Sequence, residues 1–332
     1  MRFFEQQEEA RAQTWRLLVL FAITVLGLVL AVNAALAITW RVLTPGFSGY
    51  PAYFFGVNTG MTLLFVLGGW WLETSSLQGG GEKLARRVGA REAWPSIRAD
   101  EQKFCNIVQE LAIAASMKPP TPMVLERVDG INAFACGWDE DDAVIAVTRG
   151  ALDLLSRDEL MGLVAHEFSH IREGDMRLNM RLAGMVSGLE MIFNLGQTMC
   201  EPTDGRTTVL AIPGLAIKAT GSLGWLAGRA LKAAVSRQRE FLADARAVQF
   251  TRSKDGLGGV LRKVAGQLEA QEGSRPLHHS VQHMLLVGTE GHERWFASHP
   301  PLKERIRRIY GRSMPALSGE REGAPTRPDA IF

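Results

Sequence analysis

The sequence predicts an α+β protein that is mostly helical, with a small β-sheet, and that is anchored by transmembrane helices. Three observations lead to this fold class. The first quarter of the 332-residue chain contains two long apolar runs, and a polar remainder brings the mean hydropathy to +0.01. Short β-prone stretches follow these runs, and much of the later chain has the roughly 3.6-residue period of amphipathic helices. This length allows two domains, or one domain with membrane segments.

The two apolar runs lie near the amino terminus, at residues 17–40 and 53–72. Each run matches the roughly 20 residues that a helix needs to cross the hydrocarbon core of a bilayer. Tryptophan and tyrosine residues lie near the predicted ends, where amphipathic rings prefer the membrane interface. A cleaved signal peptide is the alternative for the first run, but that run is too long and a second run follows it. We therefore expect two transmembrane helices within residues 17–72.

Basic residues predict the orientation of these helices. They precede the first run, are nearly absent between the runs and follow the second: Arg2, Arg11 and Arg16, then Arg41, then Lys83, Arg86, Arg87 and Arg91. The positive-inside rule places residues 1–16 and the chain after residue 72 on the cytoplasmic side. The cysteines have no paired spacing, which agrees with a reducing compartment: Cys105, Cys136 and Cys200. Residues 73–99 are predicted to link the apolar runs to the soluble part, and the stretch E-T-S-S-L-Q-G-G-G at 73–81 is predicted to be flexible.

After the linker, residues 100–117 are predicted to form a helix, which a cluster of prolines ends. Two short β-prone stretches follow at residues 123–128 and 143–148, with the sequence I-N-A-F-A-C-G between them. The sequence therefore predicts a small sheet directly before the helix that carries the main motif.

That helix begins with a capping box, because Ser156 is followed three residues later by Glu159. It contains His166, Glu167 and His170 in the spacing H-E-x-x-H. Four residues advance a helix by slightly more than one turn, so both imidazoles lie on one face and can bind one metal ion. Zinc held by two imidazoles and one further ligand lowers the pKa of bound water to roughly 7, and a nearby carboxylate can take the proton. This arrangement is typical of peptide hydrolysis.

A candidate for a third ligand lies on a later predicted helix, residues 229–251, although this stretch by itself would be interpreted as a solvated face. Glu240 and Asp244 are four residues apart there, so they share one face. A carboxylate from a second helix can complete a zinc site with two histidines, and a second carboxylate can orient a ligating histidine. The alternative is a solvated face on which Arg237 and Arg239 are the surface partners of these acids.

The segment between these two helices, residues 178–228, is apolar and rich in glycine, but it contains Glu190 and Lys218. It could be a helical hairpin that crosses the bilayer, a hairpin that lies against the bilayer, or buried helices of a soluble domain. Its length and glycine content favour a hairpin in the membrane. The final residues, 311–332, are predicted to be disordered. Further helices are expected at residues 256–272, 280–287 and 301–310.

Several motifs together resemble one family. H-E-F-S-H, followed about seventy residues later by S-R-Q-R-E-F-L-A-D, is similar to the HtpX-like membrane metallopeptidases, relatives of the CAAX prenyl endopeptidases. Other matching elements are N-A-F-A-C-G at 132–137, G-A-L at 150–152, G-D-M at 174–176 and S-H-P-P at 298–301. The resemblance extends from the first apolar run to about Tyr310.

The resemblance implies a zincin-like catalytic domain formed by residues 100–177 and 229–310. It implies one zinc ion per chain, held by His166, His170 and Glu240, with Glu167 as the general base. Asp244 would support a ligating histidine. It also implies a bacterial inner (plasma) membrane protein that spans the bilayer several times, with its catalytic domain in the cytoplasm, and that cleaves misfolded membrane proteins in quality control.

Two further roles come from the same resemblance, each with an equally good structural alternative. Asn132, Ala133, Phe134 and Ala135 would form the edge strand that pairs with the backbone of a substrate, or else an ordinary core strand. His299 would stabilise the oxyanion of the tetrahedral intermediate, or else mark a turn before the last helix.

The sequence therefore predicts a membrane-bound zinc endopeptidase whose partners are protein or peptide substrates and the lipid bilayer. A net charge of +2 without a basic stripe gives no case for nucleic acid. The alternative function is a non-proteolytic, metal-stabilised membrane scaffold that binds partner proteins. Glu167 argues against the scaffold, because a structural metal site needs no general base. The oligomeric state stays open.

Overall fold

The structure is a computed structural model and describes residues 2–202, 210–270 and 300–317. Over these residues the chain is mostly helical, with a four-stranded sheet, so the predicted fold class is confirmed. The helices are α1 (Arg2–Leu43), α2 (Phe54–Leu77), α3 (Gly80–Arg87), α4 (Ala99–Ala115), α5 (Arg149–Leu154), α6 (Arg157–Arg172), α7 (Asp175–Cys200), α8 (Ala211–Thr251), α9 (Lys254–Ala270) and α10 (Leu302–Tyr310). The strands are β1 (Arg91–Glu92), β2 (Thr121–Leu125), β3 (Ala133–Cys136) and β4 (Val144–Thr148).

The chain divides into two compact units. One unit consists of Met1–Gln78 and Arg181–Ala234, and the other consists of Gly79–Met180 and Val235–Phe332. The first contains the apolar helices, and the second contains the sheet and all of the candidate site residues that the structure describes.

Two helices among the described residues are long and apolar enough to cross a membrane. They are Trp15–Leu43, with a mean hydropathy of 2.7 over its most apolar window, and Phe54–Leu77, with 1.3. Both coincide with the predicted transmembrane runs. Many of their large apolar side chains are exposed, as expected for helices that face lipid.

Glycines bring the helices of the first unit into close contact. A Cβ atom added at Gly188 of α7 would lie 2.5 Å from the carbonyl oxygen of Val66 in α2. A Cβ atom added at Gly196 of α7 would lie 2.3 Å from the backbone nitrogen of Lys218 in α8. These positions accept only glycine, and the resulting close packing of backbones is typical of helices in membranes.

The predicted linker is largely structured. Residues 73–99 contain the end of α2, all of α3 and strand β1. Helix α3 forms because it buries Leu84 and Ala85, and because Gly81 packs closely on the carbonyl oxygen of Cys136. These contacts with a distant strand outweigh the flexibility that the glycines suggest in the sequence.

The sheet of the second unit has the strand order β1-β2-β4-β3. Strands β2 and β4 are parallel, whereas β3 pairs with β4 in the antiparallel direction and forms one edge of the sheet. Helix α4 packs on β2, and α6 packs on β3. The second unit thus places the helix with the two histidines beside the edge strand.

Helix α6 lies in the centre of the hydrophobic core. Leu163, Val164 and Phe168 are completely buried in one cluster with residues of α4, the sheet, α9 and α10. A Cβ atom added at Gly162 would lie 2.3 Å from the backbone nitrogen of Leu257, so α9 contacts α6 backbone to backbone. This packing fixes the position of α6 along its whole length.

The carboxy-terminal segment differs in part from its prediction. Residues 311–317 follow α10 and pack against α9, where the backbone nitrogen of Leu317 donates to the carbonyl oxygen of Arg262. The guanidinium of Arg262 also donates to the carbonyl oxygen of Pro315. These contacts order the first part of the predicted disordered tail, and the rest of that tail lies outside the described residues, as does the helix expected at 280–287.

Candidate metal centre

The helix that carries the histidine motif begins as the sequence predicts. The side chain of Ser156 accepts a hydrogen bond from the backbone of Glu159 at 3.3 Å, and the Glu159 carboxylate accepts one from the backbone of Ser156 at 2.8 Å. Lys263 of α9 donates to the same carboxylate at 2.7 Å. The capping box therefore both starts α6 and ties its first turn to α9.

The two histidines of α6 face one carboxylate of α8. The Nε2 atoms of His166 and His170 are 3.2 Å apart, and Glu240 oxygens lie 3.6 Å and 3.5 Å from them, respectively. Tetrahedral coordination with bonds of about 2.0–2.1 Å separates ligand atoms by about 3.4 Å. The 3.6 Å distance is to Oε2 of Glu240 and the 3.5 Å distance is to Oε1, so the two carboxylate oxygens each face one histidine at close to this spacing, and the group could hold a metal ion.

A carboxylate lies beside the Nδ1 atom of His166, and an arginine binds this carboxylate. Its Nδ1 lies 3.1 Å from Oδ1 of Asp244, the residue that the sequence suggested for this role. Arg305 of α10 donates to both oxygens of Asp244, at 2.9 Å and 2.7 Å. A carboxylate beside Nδ1 favours the tautomer that carries its proton there, which leaves the Nε2 lone pair free to bind a metal ion.

His170 has an equivalent pair of supporting residues, which the sequence reasoning missed. Its Nδ1 lies 2.9 Å from Oδ2 of Asp175, the first residue of α7, and Arg239 contacts the other oxygen of Asp175. Arg239 is therefore not a simple surface partner of Glu240. The available signal was the motif G-D-M, which matched the family without suggesting a role for its aspartate.

The charges of the centre favour a divalent cation. The centre contains two guanidinium groups, those of Arg239 and Arg305, which contact its carboxylates. It contains four carboxylates, so the ionised side chains leave an excess of two negative charges: Glu167, Asp175, Glu240 and Asp244. An uncompensated charge is costly to bury. A divalent metal ion would neutralise this excess.

The pKa values of the supporting groups agree with this charge distribution. Burial opposes the ionisation of Asp244, but the charge and hydrogen bonds of Arg305 outweigh the effect of burial. The pKa of the Asp244 carboxyl is therefore lowered to about 2. Burial also opposes protonation of His170, but hydrogen bonds to Asp175 and Glu240 raise its pKa well above its ordinary value. The pKa of His166 is raised in the same way by Asp244 and Glu240. Both imidazoles thus lie in a field that attracts cations, and a metal ion competes with protons for them.

Glu167 lies beside the histidines and is 2% exposed. The charge of its carboxylate contributes to raising the pKa of the Cys136 thiol on β3 and the pKa of Arg305 on α10. The pKa of Cys136 is raised mainly by burial, so this cysteine is not a thiolate at neutral pH. Of the two reactive groups near this strand, Glu167 is therefore the one suited to proton transfer.

The predicted substrate strand lies at the edge of the sheet. The backbone of Thr148 donates to the carbonyl oxygen of Asn132 at 3.0 Å. Because hydrogen-bonded pairs alternate in an antiparallel ladder, the backbone groups of Ala133 and Ala135 point away from β4, towards the edge. The Asn132 side chain accepts from the backbone nitrogen of Ala133 at 3.0 Å. Phe134 is completely buried. This strand is thus both an edge strand and part of the core.

His299 lies outside the described residues. Its role near the metal centre stays a prediction.

Comparisons with known proteins identify relatives of the chain. The profile of a family described as "Peptidase family M48" matches residues 98–313. A protein named "Protease HtpX homolog" from Dictyoglomus turgidum is 34% identical over 238 residues, which cover 70% of this chain and 75% of the relative. A protein of the same name from Streptococcus gordonii is 30% identical over 323 residues, which cover 92% of this chain and 98% of the relative. No solved structure matches the chain significantly.

Proposed function

The chain belongs to peptidase family M48 as an HtpX-like membrane metallopeptidase, and from this premise we propose that it is a zinc-dependent endopeptidase. The observation that carries this proposal is the spacing of three donor atoms, from His166, His170 and Glu240, within 4.8 Å of one another. Glu167 lies next to the first of these ligands in the sequence. A site with three protein ligands and an adjacent carboxylate is typical of catalytic zinc rather than structural zinc.

In this mechanism, His166, His170 and Glu240 hold the metal ion. When bound, the ion would polarise the scissile carbonyl group and make a neighbouring water molecule more acidic. Glu167 takes a proton from the attacking water molecule and returns it to the nitrogen of the leaving amine. The burial of Glu167 limits competing contacts with bulk water. Asp175 and Asp244 keep the imidazole rings in the orientation that binding requires.

We also propose that strand β3 holds the substrate. An extended peptide can add a strand to the edge of a sheet, where the main chain provides affinity. The carbonyl oxygen of Ala133 and the outward backbone groups of Ala135 are the hydrogen-bonding sites in this proposal, since the backbone nitrogen of Ala133 already donates to the Asn132 side chain. Only an unfolded segment can pair in this way, which supports a role in cleaving misfolded proteins. His299 is proposed to stabilise the oxyanion.

The proposed location is the bacterial inner membrane, with the catalytic unit on the cytoplasmic side. The two apolar helices support anchoring in a bilayer, and the distribution of basic residues around them supports the orientation. The glycine contacts within the first unit support a membrane position for residues 178–228 as well. Substrates that reach such an enzyme would be membrane proteins with segments exposed to the cytoplasm.

The experiment compares the full-length protein with Glu167→Gln, using casein as an unfolded substrate and measuring the zinc content of each sample. We expect Glu167→Gln to retain zinc while cleavage falls by roughly 10²- to 10⁴-fold, because a general base is lost. Asp158→Asn is the matched control, since Asp158 is an exposed acid on the same helix, and it should cleave casein as the unchanged protein does.

Two results would contradict the proposal. Full cleavage by Glu167→Gln would exclude Glu167 as the general base. Zinc in the unchanged protein without cleavage of any peptide bond would favour the metal-stabilised scaffold instead.

A further inference from the structure

Arg305 is a charged side chain that is completely buried, with 0% of its surface exposed. Arginine is almost never fully buried unless its charge is paired. Here the pairing is specific: Nε and Nη2 donate to the two oxygens of Asp244, and Nη1 lies 3.4 Å from Oε2 of Glu240. One guanidinium group therefore joins a candidate metal ligand to the carboxylate that supports another ligand.

The position of Arg305 is set by the packing of its own helix. Ile306 and Ile309 of α10 are buried in the central core, and the ring of Tyr310 lies against Gly258 of α9. These contacts hold α10 against the core at positions other than Arg305. The guanidinium group of Arg305 therefore contacts α8 in a defined orientation. A side chain that positions other side chains must itself be held in this way.

Two acids of α8 depend on this cation. Glu240 and Asp244 are both buried and lie one turn apart on the same face, so their negative charges repel each other. Arg305 compensates both charges, and it holds Glu240 Oε2 on the side that faces His166. Arg239 contacts Asp175, which lies beside His170. Arg305 contacts Glu240 itself, which is a candidate metal ligand.

We propose that Arg305 is a positioning residue of the metal centre, which holds Glu240 and Asp244 in the geometry needed to bind a divalent ion. The inference rests on the proposed function, because it concerns the same metal ion. Arg305 touches neither the metal ligands on α6 nor the substrate strand in this proposal. It acts through the two carboxylates of α8.

The fork of the guanidinium is essential to this role. Lysine keeps the positive charge but has a single nitrogen, which cannot bind both oxygens of Asp244 and also reach Glu240. Glutamine removes the charge as well. Arg305→Lys therefore tests whether simultaneous contact with Asp244 and Glu240 is needed. Arg305→Gln tests the loss of these contacts together with the loss of the positive charge.

The experiment uses the full-length protein in detergent and the zinc ion as the probe. Zinc affinity is measured by competition with a fluorescent chelator, the rate of zinc release is measured after adding excess chelator, and folding is measured as the melting temperature with saturating zinc. Arg307→Gln is the matched control, because Arg307 lies on the same helix, is 61% exposed and pairs with Glu304 at the surface. Cleavage of a fluorogenic peptide supplies kcat and KM.

We expect Arg305→Lys and Arg305→Gln to bind zinc roughly 10- to 100-fold more weakly and to release it faster, as is usual when a group that supports a metal ligand is lost. With saturating zinc, kcat should fall while KM stays unchanged, because Arg305 does not contact substrate. Arg307→Gln should match the unchanged protein in every measurement.

Three other results are possible, and each would contradict either the inference or the proposed function. If folded Arg305→Lys binds and releases zinc as the unchanged protein does, the inference is wrong. If neither Arg305 variant folds even with saturating zinc, Arg305 is an architectural anchor of α10 and the inference is also wrong. If the unchanged protein neither binds zinc nor cleaves peptides, the proposed function itself fails.

Discussion

Each histidine of the candidate metal centre is supported by a carboxylate from a different helix. Asp244 on α8 lies behind His166, and Asp175 at the start of α7 lies behind His170. Each carboxylate is in turn bound by an arginine, Arg305 or Arg239. His170 is hydrogen-bonded to its carboxylate, whereas His166 Nδ1 lies 3.1 Å from Asp244 without hydrogen-bond geometry. A carboxylate in such a position favours one tautomer and orientation of a ligating imidazole. The two histidines therefore differ from ordinary polar residues on a helix.

Asp175→Asn should weaken zinc binding by roughly 10- to 100-fold, because the amide carries no charge to pair with Arg239 and is a poorer acceptor for His170. The measurement is zinc affinity by chelator competition, with Asp158→Asn as the control on α6. The fold should persist, since asparagine has the same shape as aspartate. Unchanged zinc affinity in Asp175→Asn would show that His170 does not depend on this carboxylate.

Helical periodicity predicts which site residues of one helix share a face. His166 and His170, like Glu240 and Asp244, are four residues apart, so their shared faces follow from helix geometry. Helical periodicity does not predict Asp175, because Gly174, with φ of +71°, ends the helix and turns the chain back towards His170. It does not predict Arg305 either, because 61 residues separate Arg305 from Asp244. Only tertiary packing brings these partners together.

At the level of elements, the edge strand is the least predictable part of the candidate site. Strand β3 has four residues, and all of them are buried, so it lacks the alternation of apolar and polar residues that marks a typical strand. Its position in the sheet depends on β4, which follows it in the chain and also pairs with β2. Composition indicates β-structure on either side of β3, whereas its place at the edge is a property of the whole sheet.

Ala135→Pro tests whether the outward backbone of β3 binds substrate. Proline removes the nitrogen donor of Ala135, which points away from β4, so the ladder between the two strands should stay intact. We expect KM to rise, with the zinc content and the melting temperature close to those of the unchanged protein. Phe134→Pro is the contrasting variant, because it removes a donor that faces β4 and should destabilise the sheet. A folded Ala135→Pro protein with unchanged KM would argue against substrate pairing at β3.

Helix α3 shows why the linker prediction failed. Its glycines suggest flexibility, yet Gly80, with φ of +83°, starts the helix and the backbone nitrogen of Gly81 donates to Asp142 at 3.1 Å. The glycines are needed here because the backbone of α3 approaches the sheet more closely than a side chain allows. A local reading of composition cannot detect a partner 61 residues away.

For the whole molecule, the topology of residues 178–228 decides how many times the chain crosses the membrane. A cysteine at Glu201, an exposed position between α7 and α8, should react with a membrane-impermeant maleimide in intact cells if the hairpin crosses the bilayer. The native cysteines would be replaced first, and a cysteine at Asp158 would be the cytoplasmic control, which should react only after lysis. Protection of residue 201 until lysis would place the hairpin on the cytoplasmic side and exclude a hairpin that crosses the bilayer.

The central claim is that His166, His170 and Glu240 bind a zinc ion and leave a position for the reaction. X-ray absorption at the zinc edge of the full-length Glu167→Gln protein tests it most directly, because this variant should retain the metal without cutting itself or other proteins. We predict one zinc ion per chain, with two imidazole nitrogens and a carboxylate oxygen at about 2.0–2.1 Å. A sulfur ligand at about 2.3 Å, a closed site of four protein ligands, or protein without zinc would contradict the claim.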